Sequence, residues 1–345
     1  MRIVLASSFV PFVNGGARFI VEWLEQHLVE HGHQVERFYL PFIEHQDHIL
    51  EQMLAYRMMD IEDHSDLLVT FRPPAHVLRH PRKVVWFIHH IRSFYDLADT
   101  VHRGFANTMK GRAVRDALVD VDTTTILEAE KVFTNSQVVA DRLKKFNGVR
   151  ATPLYPPVFQ PERFRNDGYG DEIVVVCRVE AHKRQALLIE AMRHTKTGVR
   201  LRLCGVSSNP AYDAEIQKLI RGSGAADRIA FDNRWISEEE KAEKLAPALA
   251  AAYLPVDEDS YGYPSLEAAH SRKAVITTSD SGGVLEFVED GRNGFVAEPT
   301  PEAVAHAMDR LHADRTMAAR MGEASHERLR ELKIDWNHVV ESIVS

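Results

Sequence analysis

Short apolar runs recur along this chain, separated by longer stretches in which apolar residues return every three or four positions. In the first half the runs are Arg2 to Ala6, Gln34 to Tyr39, Leu67 to Phe71, Lys83 to Ile88 and Lys131 to Thr134. Consecutive apolar positions over so few residues read as strands buried on both faces, as in a parallel sheet, and the intervening period is helical. The pattern pauses at Leu154-Tyr155-Pro156-Pro157 and restarts with Glu172 to Cys177, Arg200 to Cys204, Ile229 to Phe231, Ala250 to Leu254 and Ala274 to Thr277. Paired prolines fix φ and push the preceding residue toward extended backbone, so they mark a linker. The pattern therefore predicts an α/β protein with one Rossmann-like domain over residues 1–157 and a second over 158–333. A last amphipathic stretch runs from Trp336 to Val344. In such sheets ligands bind beyond the carboxyl ends of the strands, so functional residues are expected just after them.

Composition narrows the class. A length of 345 residues exceeds one ordinary core and favours two domains. Hydrophobic residues at 45% and charged residues at 27% fit a globular enzyme, and no run approaches the roughly 18 apolar residues of a membrane span. The apolar run at Met1-Arg2-Ile3-Val4-Leu5-Ala6 is too short for a signal peptide, which predicts a cytoplasmic location. Cys177 and Cys204 lie in apolar runs and are expected to be core thiols. A net charge of −8 argues against nucleic acid as a partner. Between Arg72 and Arg115, however, cations outnumber acids. That segment is either a solvated face or a surface for an anionic acceptor or lipid headgroup.

Several motifs stand where strands end. Asn14-Gly15-Gly16 precedes the helical stretch Ala17 to His31; glycines admit close backbone approach and the helix N-terminus offers unpaired N–H groups, although an ordinary turn has the same sequence. Arg178 and Lys183 follow the strand Ile173 to Cys177 and could neutralise a diphosphate, the first with a fork and the second with a point charge. Asp259-Ser260-Tyr261-Gly262-Tyr263-Pro264-Ser265-Leu266-Glu267 follows the strand ending near Leu254. Pro264 suits a first helical turn, whose N–H groups could face a diphosphate while Glu267 accepts from ribose hydroxyls; the plainer reading of Glu267 is a carboxylate complementing the helix dipole. Ser281-Gly282-Gly283 supplies another permissive loop at the same edge.

These motifs together resemble a family 4 glycosyltransferase of the GT-B fold, in which two Rossmann-like domains face each other across a cleft. The resemblance rests on two acidic residues separated by seven others with G-x-P before the second, here Asp259 to Glu267 with Gly262 and Pro264. It is supported by Arg178 with Lys183, by Gly205, and by Gly291-Asn293-Gly294-Phe295. In the first half it rests more thinly on Gly15-Gly16, on Trp86 to Arg92 with Tyr95-Asp96, and on Phe133 to Ser136. The resemblance implies a retaining transfer of a hexosyl group from a UDP- or GDP-sugar to a glycan or lipid-linked acceptor, in cell-surface polysaccharide synthesis. It implies that His89, Asp259, Arg178 and Lys183 serve catalysis. The donor would lie on Gly15, Gly16, Arg178, Lys183 and the run Gly262, Tyr263, Pro264, Ser265, Leu266 and Glu267. Arg92 and Tyr95 would lie on the acceptor side, and the helix over 334–345 would pack back on the first domain. Asp259 stands where most relatives carry glutamate, one methylene longer.

No resident metal or cofactor is expected, the nucleotide sugar being a co-substrate. His89 with His90, and the group His27, His31, His33, His45 and His48, could be read as metal ligands, but such groups are most often solvated or satisfied in a core. Asp257-Glu258-Asp259 contains a D-x-D string, which the longer acidic motif absorbs. The alternatives within the architecture are a nucleotide-sugar epimerase, a phosphorylase, for which no pyridoxal signature is present, and a binding protein with a degenerate site. Peripheral contact with the inner membrane face is a further expectation from the basic segment.

Overall fold

A computed structural model describes residues 1–8 and 16–345. Gly15, expected at the donor, lies outside the described residues. The chain divides into two compact units, Met1–Pro156 together with Asp335–Ser345, and Pro157–Ile334.

The first unit runs β1 (Arg2–Ser8), α1 (Gly16–Glu30), β2 (Gln34–Leu40), α2 (Ile49–Arg57), β3 (Leu67–Thr70), β4 (Lys83–Phe87), α3 (Met109–Ile126), β5 (Lys131–Thr134), α4 (Gln137–Asn147) and β6 (Thr152–Pro153). Its strands form one parallel sheet in the order β2-β1-β3-β4-β5-β6. Leu5, Leu68, Val69, Val85 and Phe87 are buried in the sheet, and α1 turns Ile20, Val21, Leu24 and Leu28 inward, a spacing that keeps one helical face apolar. Lys83 opens the buried strand β4 with no exposed surface. Its ammonium donates to the carbonyls of His76, Leu78 and Thr125 and pairs with Glu128 at 3.1 Å, which satisfies the charge that burial would otherwise forbid.

The second unit runs β7 (Glu172–Val176), α5 (Gln185–Ala191), β8 (Arg200–Cys204), α6 (Pro210–Gly222), β9 (Ile229–Asp232), α7 (Glu238–Leu245), β10 (Ala250–Ala252), α8 (Tyr263–His270), β11 (Ala274–Thr278), α9 (Val284–Phe287), β12 (Gly294–Ala297), α10 (Pro301–Ala313) and α11 (Arg315–Glu331). Its parallel sheet has the order β12-β11-β10-β7-β8-β9. Ile173, Val175, Leu201, Leu203, Ile276 and Met308 are buried in one continuous core. The closing helix α12 (Trp336–Val344), capped by Asp335, belongs to the first unit. There Trp336 stacks on His27 with ring centroids 4.7 Å apart, and the Lys131 ammonium donates to the Ser342 carbonyl at 3.0 Å.

Each order reverses once. In the second unit the chain steps outward from β7 to β8 and β9, then crosses back to β10 on the other side of β7. At such a point two loops diverge from adjacent strand ends and leave a crevice at the carboxyl edge.

Candidate functional site

Three loops meet at the reversal between β7 and β10, and backbone bonds knit them together. The Val256 amide donates to the His182 carbonyl, the Asp257 amide to the Asp280 carbonyl, and the Gly283 amide to the Glu258 carbonyl at 2.8 Å. The Arg184 guanidinium closes the set, donating to the Thr278 hydroxyl at 3.1 Å and to the Asp280 carboxylate at 2.6 Å. Gly282, at φ +62°, lies so close to Glu258 that a Cβ there would stand 2.5 Å from its carbonyl oxygen.

The two cations expected on the diphosphate differ in state. The Arg178 side chain is 56% exposed and pairs with Glu180 at 2.7 Å. The Lys183 side chain is only 8% exposed. Its ammonium donates to the Tyr253 hydroxyl at 2.8 Å, lies 5.1 Å from the centre of that ring, and pairs with Glu258. The Tyr253 hydroxyl in turn donates to Glu258 at 2.9 Å, and burial together with that carboxylate pushes its pKa well above the usual phenol range. Glu258 and Tyr253 are therefore part of the site, although sequence patterns assign Glu258 to a metal-type string and Tyr253 to strand filling. Only the fold brings them to Lys183.

Gly262 ends the acidic loop at φ 68° and ψ 132°, and α8 starts beside it with Pro264 in its first turn. A Cβ on Gly262 would lie 2.2 Å from Tyr253 Cε1, so the loop reaches the tyrosine only because that atom is missing. Ser265, Leu266 and Glu267 are buried, Gly262, Tyr263, Pro264 and Asp259 partly so. The Glu267 carboxylate accepts from the Lys241 ammonium of α7 at 3.0 Å through Oε1, while its buried Oε2 has no partner among the described residues. Burial raises the Glu267 pKa above the ordinary carboxylate value, opposed by Lys241. One edge of the second unit thus combines an exposed guanidinium, a buried ammonium, a helix N-terminus and a carboxylate with an open acceptor, a set suited to an anion that carries hydroxyls.

In the first unit, Gly16 opens α1. His89 follows β4, half-buried, with its Nδ1 on the His90 carbonyl at 2.8 Å. Arg92 binds Asp96 at 2.6 Å. Tyr95, expected on the acceptor side, is placed in the core instead. It is 3% exposed, its hydroxyl donates to Asp122 at 2.5 Å, and Asp122 also holds His76 at 2.8 Å. Burial first, and then the Asp122 charge, raise the Tyr95 pKa. Its partners were not legible because Asp122 sits mid-helix in α3, where an acid ordinarily faces water. The basic segment does not form one face. Lys83 is fully buried, Arg72 is partly buried, and Arg115 donates to the Phe94 carbonyl and pairs with Asp116. The histidines also go separate ways: His27 stacks on Trp336, whereas His45 and His48 pair with each other on the surface. Among the described residues no three His, Cys, Asp or Glu side chains are grouped as a metal site. Burial pushes both Cys177 and Cys204 up to about 12.

Residues 159–328 match the family "Glycosyl transferases group 1". The second unit is thus similar to the group 1 glycosyl transferases, the matched segment being just under half of the chain. Among curated relatives, it is 29% identical over 211 residues to the alpha-maltose-1-phosphate synthase of Mycolicibacterium smegmatis, covering 56% of this chain and 53% of that protein. It is 24% identical over 286 residues to the human alpha-1,3/1,6-mannosyltransferase, covering 75% of this chain and 66% of that one. The chain thus spans about half to two thirds of the length of these curated relatives. Among solved structures, a sucrose-phosphate synthase from Thermosynechococcus elongatus aligns with TM-score 0.74 at 17% identity, over 98% of this chain and 96% of that one. Anabaena HepE in complex with UDP-glucose aligns with TM-score 0.69 at 16% identity, over 99% and 98%. At these identities the likeness is one of fold, GT-B. The group 1 match covers nearly all of the second unit, and so contains the loops that carry Arg178, Lys183 and Asp259 and the helix that carries Glu267.

Proposed function

We propose that this protein transfers a hexosyl group, with retention, from a UDP- or GDP-sugar to a glycan or lipid-linked acceptor in cell-surface polysaccharide synthesis. The observation that carries the reading is the convergence of Arg178, Lys183, the α8 N-terminus and Glu267 at the β7/β10 reversal. The names of relatives support a hexose on a nucleotide: one similar protein of Mycobacterium tuberculosis, 26% identical over 225 residues and matched over 60% of this chain and 57% of its own, is a GDP-mannose-dependent mannosyltransferase.

Departure of a nucleoside diphosphate builds negative charge on its bridging oxygen and positive charge on the sugar. Arg178 forks onto the diphosphate, Lys183 adds a fixed charge from a site that excludes water, and the N–H groups at the start of α8 complete the set. With the leaving group stabilised by fixed cations, no resident metal is required, and Glu267 orients the ribose. Asp259 holds hydroxyls of the transferred sugar, and His89 acts on the sugar or acceptor side. Retention follows if the acceptor enters on the leaving-group face and a phosphate oxygen takes its proton, so no glycosidase-like carboxylate pair is called for.

The protein is tested with UDP, GDP, ADP, TDP and their common sugar conjugates in a thermal-shift panel, followed by assay of sugar release or transfer. A ligand that binds only the folded state raises its melting temperature by mass action, so one nucleotide should stand out. A flat panel at millimolar ligand sinks the proposal. For the acceptor we favour a lipid-linked glycan at an anionic membrane surface, because Val101 and Met109, 95% and 83% exposed, lie close in sequence to the cations Arg103, Lys110 and Arg112. Val101→Glu with Met109→Glu should reduce co-sedimentation with phosphatidylglycerol vesicles; equal sedimentation of variant and wild type removes this part of the reading.

A further inference from the structure

A carboxylate that reads a ribose must be both ionised and aimed. Glu267 is buried, its side chain 6% exposed, and burial alone drives it toward the neutral acid. The residue that opposes this comes from another helix. Lys241 stands in α7, whose start is fixed by a reciprocal Ser237–Glu240 capping box. Its side chain is 16% exposed, and its ammonium bonds Glu267 Oε1 at 3.0 Å and Glu238 Oε1 at 2.7 Å. Two carboxylates thus grip one ammonium, whose pKa is raised although burial works against it. The second oxygen, Oε2, is buried with no partner among the described residues. The other charged or titratable groups acting on Glu267 are Arg163, from the turn before β7, and Glu238, while Tyr263 feels its charge from the first turn of α8. A buried carboxylate oxygen left open is costly unless something fills it, and a ligand hydroxyl is the matching donor.

We infer that Lys241 is a positioning residue for nucleotide recognition: by binding one oxygen of Glu267 it holds the carboxylate ionised and presents the other oxygen to a hydroxyl of the ribose. This rests on the ribose reading of Glu267 proposed above. It also assigns Glu238 a part, as the second anion that keeps Lys241 from turning to solvent. The arrangement makes the preference for ribose over deoxyribose depend on a residue that does not touch the sugar. Loss of Lys241 leaves Arg163 as the remaining cation acting on Glu267, with Glu238 acting against it, so the carboxyl takes up a proton closer to neutral pH and the acceptor is lost.

The experiment compares the full-length protein with Lys241→Met, Lys241→Arg and Glu267→Gln, titrated calorimetrically with UDP and 2′-deoxy-UDP and with GDP and 2′-deoxy-GDP. In wild type the ribonucleotide should bind more tightly than its deoxy analogue by about 10- to 100-fold, the range for a hydrogen bond to a charged acceptor. Lys241→Met should lose most of that ratio through weaker ribonucleotide binding, with the deoxynucleotide affinity little changed, which also reports that the variant is folded. The ratio in Lys241→Met should recover in part as the pH is raised and Glu267 is ionised again, while wild type stays flat. Lys241→Arg should keep the wild-type ratio. A wild-type ratio retained in Lys241→Met, or one lost equally in Lys241→Arg, overturns the inference while leaving the ribose reading in place. A ratio near one in wild type, or one unchanged in Glu267→Gln, removes the ribose reading itself and the inference with it.

Discussion

Gly262→Ala should damage both the stability of the second unit and its ligand site, and the cost can be worked from two separate sources. The backbone at φ 68° and ψ 132° is a conformation in which side-chain-bearing residues are strained, at about 1–3 kcal/mol. The new Cβ would also stand 2.2 Å from Tyr253 Cε1, so the buried ring must shift, an overpacking cost of about 1–3 kcal/mol. Together these give about 2–6 kcal/mol, against a total stability of about 5–15 kcal/mol for a domain. For a unit of this size that corresponds to a fall in Tm of about 4–24 °C. Because the Tyr253 hydroxyl holds both Lys183 and Glu258, the ring cannot move without releasing the ammonium, and nucleotide affinity should fall about tenfold or more. Gly291→Ala is the internal control. Gly291 has a similar φ of +73° but no atom of the described residues within 4 Å of its added Cβ, so it bears only the backbone strain. Differential scanning calorimetry of both variants, with nucleotide titrations, separates the terms. If Gly262→Ala melts no lower than Gly291→Ala and binds nucleotide as wild type does, the close packing of the acidic loop on Tyr253 does not govern the site.

Arg178→Ala should abolish the nucleotide-dependent rise in Tm while leaving the ligand-free stability within about 0.5 kcal/mol of wild type, since the side chain is 56% exposed; a retained rise in Tm contradicts its place on the diphosphate. Activity should survive EDTA, and a loss that only Mn²⁺ or Mg²⁺ restores would replace the proposed metal-independent mechanism. Burial pushes the Lys273 ammonium down to about 8, against about 10.4 in an unfolded chain. Between those values the unfolded state binds more protons, so Lys273 contributes stability that grows as pH rises from about 8 to about 10.4 and is lost as pH falls through about 8. The Tm difference between wild type and Lys273→Met should therefore widen in favour of wild type over that range, and a difference independent of pH would refute the assignment.

The central strands β3, β4, β7 and β11 were readable because burial on both faces leaves little room for polar residues, and the more exposed β5 and β8 because their apolar positions still cluster over a few residues. The runs at Lys131 to Thr134 and Arg200 to Cys204 coincide with β5 and β8, and the helix Trp336 to Val344 with α12. The strands that pattern reading passes over, β6 and β12, lie at sheet edges. Thr152–Pro153 is too short to show a period, and Gly294–Ala297 opens with glycine, so neither carries the apolar density of a central strand. The loop bearing Arg178 and Lys183 and the helix bearing Glu267 follow strands, as their motif's spacing predicts. What the motif could not show was partnership. Lys241 lies in Glu238-Glu239-Glu240-Lys241, which looks like any solvated helix start, and Tyr253 looks like core. Tyr95 was misplaced for the same reason: a polar residue near a motif is indistinguishable in sequence from one bonded to a buried acid on another helix.

The order in which the chain emerges during synthesis acquires a meaning from the split of the first unit. Residues Pro157–Ile334 are complete before Asp335–Ser345, which finish the first unit, have been made. The first unit must therefore wait with the α1 surface around His27 uncovered until Trp336 arrives, while the second unit has everything its core requires. Truncation just after Ile334 would accordingly leave the second unit intact and injure the first, farther away in sequence. A shortened gene product should thus retain ligand binding while aggregating through its other half.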